Sequence, residues 1–169
     1  MPNEEERREF SSPACSAHEV DDRYMGFASK QELLLALNEL LEAERAGALV
    51  TLHTARRLEN PAIKTLVTAI HHDEARWCGM LTKVVENLQG VASPKIGAFY
   101  DKAMAIDDIP SRLAFLNRGQ AWVVRKLEAL LRTVRDDHVH AELKAMLVSH
   151  QQNIDLVAVH VPPSGTSSG

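Results

Sequence analysis

Cysteine is scarce in this chain of 169 residues: Cys15 and Cys78 are the only two, too few for the disulfide framework of small secreted folds. A reducing cytoplasm is the expected setting. Aromatic residues make up only 5% of the chain, and no apolar run approaches the roughly 20 residues that a membrane-spanning helix needs. The first ten residues, MPNEEERREF, are acidic where a secretory signal would be basic and then apolar. A formal net charge of −4 supplies no field that would gather a polyanion, so neither nucleic acid nor a membrane surface is an expected partner. Strand-like alternation is missing. So are a glycine-rich phosphate loop with its lysine, a Ser-His-Asp order and zinc-finger cysteine spacing, which disfavours phosphoryl transfer and triad hydrolysis. What the chain does have is histidine, eight in all, and the question is whether any of them binds something.

Glycine and proline act as punctuation. Residues 1–28 are charged and show no sustained apolar period, so they read as a flexible N-terminal arm. Residues 162–169 (PPSGTSSG) read as a flexible tail. Between them, 29–161 reads as one helical domain. Ser29 and Glu32 have capping-box spacing, which predicts a helix from about 30 to 58 that buries Leu33, Leu37, Leu40, Leu41, Ala48 and Leu52. Asn60-Pro61 opens a second helix, ending at Gly90, that buries Ile63, Leu66, Val67, Ile70, Cys78, Leu81 and Val84. Residues 91–109 are too long for a turn, and Ile96, Phe99, Tyr100 and Met104 predict a short helix lying across the others. A third long helix starts near Pro110 and buries Leu113, Leu116, Val123, Leu127 and Val134. Asp136-Asp137 opens a fourth that runs to about 160. Two helical hairpins joined by a long crossover predict an all-α four-helix bundle.

Each long helix interrupts its apolar stripe with one polar residue: Glu44, Glu74, Gln120 and His150. Glu44 and Glu74 fall at the centres of their helices, and Gln120 and His150 within about one turn of theirs, so all four should meet at mid-height. His71 lies one turn before Glu74 and could join it as a ligand. Burying two carboxyls at one depth costs several kcal/mol unless something compensates. The candidates are a divalent metal, a proton shared through Gln120 and His150, or a reach to Arg45, Arg118 or Arg125. Two carboxylates with one or two imidazoles favour iron, manganese or zinc over calcium or magnesium. A metal-free polar layer that only fixes helix register is the alternative. Gly119 would let a neighbouring helix or ligand approach the backbone closely, with tight helix packing the plainer reading. Cys78, expected to be buried, reads as inert, and Trp77 and Trp122 as closing the core or a dimer face.

NELLEAERAG around Glu44, HHDEARW around Glu74 and SHQQN around His150 together resemble the ferritin-like, rubrerythrin-type superfamily over most of residues 29–160. The resemblance implies a bundle whose di-iron site takes a glutamate from each of two helices and an ExxH pair from each of the others. Glu44 then stands for the first glutamate and Glu74 for the glutamate of the first ExxH. Trp77 stands where that motif has its histidine, and Gln120 where the third helix offers its glutamate. On the last helix, if His150 takes the histidine's place, Leu147 takes the glutamate's; if it takes the glutamate's, Asn153 takes the histidine's. Such a depleted set implies one ion at most, held by Glu44, Glu74, His150 and His71 with Gln120 as a weak fifth ligand. It would serve redox or oxygen-linked chemistry on a small molecule, in a homodimer. The rival expectation is a metal-free structural or interaction protein.

Overall fold

The computed structural model describes residues 25–161. The expected arm lies outside the described residues as far as residue 24, and the tail over 162–169 lies wholly outside them. Five helices follow in order: α1 (Lys30–Arg57), α2 (Pro61–Asn87), α3 (Phe99–Met104), α4 (Ile109–Leu131) and α5 (Asp137–His160). No strand occurs among the described residues.

Local chemistry sets the helix starts. Glu32 N–H donates to Ser29 Oγ while Ser29 N–H donates to the Glu32 carboxylate, completing the expected capping box. Asn60 Oδ1 accepts from Ala62 and Ile63, with Pro61 in the first turn. Asp108 and Asp136 cap α4 and α5 in the same way. Each such cap contributes about 1 kcal/mol. The ends run shorter than the sequence suggests: α2 stops at Asn87, because Gln89 rather than Gly90 takes the left-handed turn at φ 58°. Val134 lies beyond the end of α4, although it is buried as expected.

The helices pack α1 on α2 and α4 on α5 most extensively, with α1 also against α4 and α2 against α5. Two apolar clusters result. The first gathers Leu33 to Leu41 of α1, Trp77 to Val85 of α2, Val123 to Leu130 of α4 and Val139 to Leu147 of α5. The second gathers Val50 and Ala55, Val67 and Ile70, Leu113 and Leu116, and Val157. Along the chain α1 and α5 pass from the first cluster to the second, whereas α2 and α4 pass from the second to the first. Each of the four packed pairs, α1–α2, α4–α5, α1–α4 and α2–α5, therefore runs antiparallel.

On α1 the buried face drifts. Ala48 and Leu52, expected in the core, are only half-buried, and Gly47, Val50, Thr51, Thr54 and Ala55 lie inside instead. A helix of 3.6 residues per turn cannot hold a strict four-residue stripe for long. The sequence reading also missed Arg112, which is fully buried; its guanidinium donates from Nε to the Ile106 carbonyl at 2.9 Å and from Nη1 to Thr54 Oγ1 at 3.4 Å, tying the crossover to α1.

The rest of the crossover is strapped along α1. Ser93 N–H donates to Asn38 Oδ1 at 2.8 Å, Asn38 Nδ2 donates to the Val91 carbonyl at 3.1 Å, and Arg45 donates to the carbonyls of Ser93 and Lys95. This strap delivers Ile96, Gly97 and Ala98, and then α3, to one opening between α1 and α4.

Candidate functional site

Glu44, Glu74, Gln120 and His150 are all buried, and each lies on its helix between the first apolar cluster and the second. All four line a single cavity of about 380 Å³. Its other walls are mostly apolar, with Ala43, Leu116, Val123, Phe99, Phe115 and Trp122 prominent. Glu39, Glu42 and Lys102 add charge to the lining. Phe99 stacks on Phe115 with ring centroids 4.9 Å apart, and a side chain at Gly119 would come within 2.6 Å of the Phe99 ring. Gly119 thus admits the short helix close to the α4 backbone, the packing role anticipated for it.

Two of the four polar residues form a pair. His150 Nε2 lies 3.0 Å from Glu44 Oε1, and its Nδ1 lies 3.0 Å from the Met146 carbonyl. Both ring nitrogens lie at hydrogen-bonding distance from oxygens, an arrangement that an imidazolium beside an ionised carboxylate satisfies in full. Burial by itself would lower the imidazole, but the Glu44 charge and the two hydrogen bonds outweigh it and hold His150 above its ordinary value.

Glu74 has a different environment. Its carboxyl lies flat against the α1 backbone, where a Cβ at Gly47 would fall 2.5 Å from Oε2. Burial, and then the charge of Glu44, push this carboxyl well above the usual carboxylate range, against a weaker lowering hydrogen bond from Thr51. The sequence signal for this niche was a glycine inside the core face of a strongly helical run, and the reading passed it over.

Four polar atoms of this layer are buried without a hydrogen-bond partner among the described residues: Glu44 Oε2, Glu74 Oε2, and both Oε1 and Nε2 of Gln120. Atoms in that state each cost about 1–3 kcal/mol if nothing satisfies them. The arginines considered as partners are engaged elsewhere or exposed. Arg45 binds the strap, Arg118 lies over the Phe115 ring and Arg125 is exposed.

His71 is not brought to the cavity. Its Nδ1 meets the Ala48 carbonyl at 2.7 Å, because three residues before Glu74 the helix face has already turned toward the α1 backbone. Asn153 also faces away, donating to Asp73 at 3.2 Å, and Ser149 Oγ donates to the same carboxylate. His150, common to both registers weighed for the last helix, lines the cavity, and neither Leu147 nor Asn153 does. Trp77 is buried and Trp122 half-buried at the cavity wall.

The donor chemistry of Glu44, Glu74, Gln120 and His150 suits a first-row transition ion. Their arrangement does not: His150 Nε2 is tied to Glu44, and among the described residues no three His, Cys, Asp or Glu side chains gather into a group that could hold an ion.

The model of a family described as a domain of unknown function (DUF6306) matches residues 31–159. No curated protein and no solved structure matches the chain.

Proposed function

The chain belongs to the DUF6306 family, and we propose that it is a ferritin-like four-helix bundle whose mid-height cavity binds one small molecule. The observation that carries this reading is the coincidence of shape and chemistry: a mostly apolar cavity ends on a layer holding four buried polar atoms with no partner among the described residues. That is the form of a small-ligand pocket, where apolar walls supply affinity and a few polar atoms fix orientation. The antiparallel order of the four long helices and the long crossover with its short helix support the ferritin-like architecture.

Ala43→Leu tests the pocket, because it narrows the cavity without touching the polar four. Toluene titrated into the wild-type protein is expected to shift the NMR signals of Leu116 and Val123, and Ala43→Leu is expected to abolish the shifts. Undisturbed signals in the wild type overturn the reading.

A single iron, manganese or zinc ion is the second reading, favoured by three oxygens that have no partner among the described residues, Glu44 Oε2, Glu74 Oε2 and Gln120 Oε1. In this reading these residues and His150 would have to rearrange to hold it, because as they stand no three His, Cys, Asp or Glu side chains gather around one point among the described residues. It requires His150 to give up its bond to Glu44. Elemental analysis of protein purified without added metal decides the point. Less than about 0.1 equivalent, with a melting temperature unmoved by added iron, manganese or zinc, overturns it, since a bound ion must stabilise the folded state. The small cysteine count supports a cytoplasmic setting. A homodimer is part of the proposal, and light scattering of the full chain tests it.

A further inference from the structure

Gln120 is the least expected member of the polar layer. It is 3% exposed, lines the cavity, and has neither of its amide atoms bonded among the described residues. Glu44 and His150 satisfy one another in part, but a carboxamide that donates and accepts nothing is costly at that depth. Whatever satisfies it must accept from Nε2 and donate to Oε1 within the plane of one amide.

That requirement sorts ligand head groups by chemistry. A carboxylate can accept from Nε2 but has no hydrogen for Oε1. An ammonium can donate to Oε1 but cannot accept. A hydroxyl can do both only by choosing one partner for its single hydrogen, leaving the second acceptor, Glu44 Oε2, unsatisfied. A primary amide does all three: its carbonyl accepts from Gln120 Nε2, one N–H donates to Gln120 Oε1, and the second N–H is available for Glu44 Oε2. Amide against amide is also a planar, two-bond pairing, so the head would be oriented as well as held. The remainder of the ligand meets Phe99, Phe115, Trp122, Leu116 and Val123, and an aromatic ring is the body that such walls favour.

We propose that the cavity takes a small, neutral aromatic amide whose head pairs with Gln120 and reaches Glu44. The inference rests on the reading of the cavity as a small-ligand site, and it adds the class of ligand.

Four probes with one ring and different heads test it: benzamide, benzoate, benzylamine and toluene, each titrated into the full-length protein and followed by NMR. Benzamide is expected to bind at least about tenfold more tightly than the other three, and Gln120→Leu to reduce it to the level of toluene. Toluene binding as tightly as benzamide overturns the assignment of the head group while leaving the pocket standing, as it would if water alone satisfies Gln120. Benzoate or benzylamine binding tightest also overturns it. Failure of all four probes to bind overturns the pocket itself and this inference with it. If Gln120→Leu does not fold, the four-probe comparison on the wild-type chain decides the question without any variant.

Discussion

His150 Nε2 on α5 lies 3.0 Å from Glu44 Oε1 on α1, two side chains only 1% exposed and 106 residues apart in sequence. The pair joins the first and last helices in the layer between the two apolar clusters. Removing one partner strands the other without compensation. His150→Ala is therefore expected to cost about 3–5 kcal/mol in urea unfolding, whereas changing both residues together, Glu44→Leu with His150→Leu, recovers most of that loss. A double variant as unstable as the single one would show that the pair acts through something other than its buried charge.

Glu74 and His150 impose a pH dependence of one sign. Each has its folded pKa raised, from ordinary values of 4.5 and 6.5, so each binds protons more tightly when folded. The stability they contribute is complete below those ordinary values and is lost as pH rises through the raised ones. Glu74→Gln keeps the shape of the protonated carboxyl and removes its titration. The variant is expected to gain stability over the wild type as pH is raised above the ordinary carboxyl value of 4.5, with a shallower curve of melting temperature against pH. Parallel curves would mean that Glu74 carries no raised pKa.

Gly47 and Gly79 are both interior helical glycines and should respond oppositely to alanine. At Gly47 the new methyl would lie 2.5 Å from the Glu74 carboxyl, while at Gly79 nothing lies within 4 Å. Gly47→Ala should cost about 1–3 kcal/mol by forcing the carboxyl off the α1 backbone. Gly79→Ala should gain about 0.8–1 kcal/mol from helix propensity alone. Chemical denaturation of the two variants side by side measures both.

Cys78 is half-buried rather than buried, yet burial first, and the charge of Glu44 second, push its thiol up to about 12. The thiolate is the reactive species, so Cys78 should alkylate with iodoacetamide at neutral pH far more slowly than after unfolding in urea. Peptide mass spectrometry reads the two rates, and equal rates would contradict the expected inertness.

The helices were legible because their signals are local. Ser29 with Glu32, Asn60 with Pro61, and Asp136 each act on backbone groups two or three residues away, whereas the Asp108 cap was not read from the sequence. The interruption of four apolar stripes by Glu44, Glu74, Gln120 and His150 was legible for the same reason, since a helix carries its buried face in its own period. Gly47, Arg112 and the orientation of His71 were not. Gly47 matters only because a carboxyl from α2 rests on it. Arg112 is inside because a carbonyl in the crossover and a hydroxyl on α1 wait for it there. The period of a helix says which residues point inward, but not what they meet.

The sequence by itself determined an all-helical chain, the order of its elements and the four polar residues set into its core, because capping and periodicity act over a few residues. The tertiary structure decided how those four divide their bonds: His150 with Glu44, Glu74 against the Gly47 backbone, and Gln120 with no partner among the described residues. Those outcomes depend on the separation and rotation of whole helices, set by the packing of two apolar clusters above and below the layer, and no local pattern contains them.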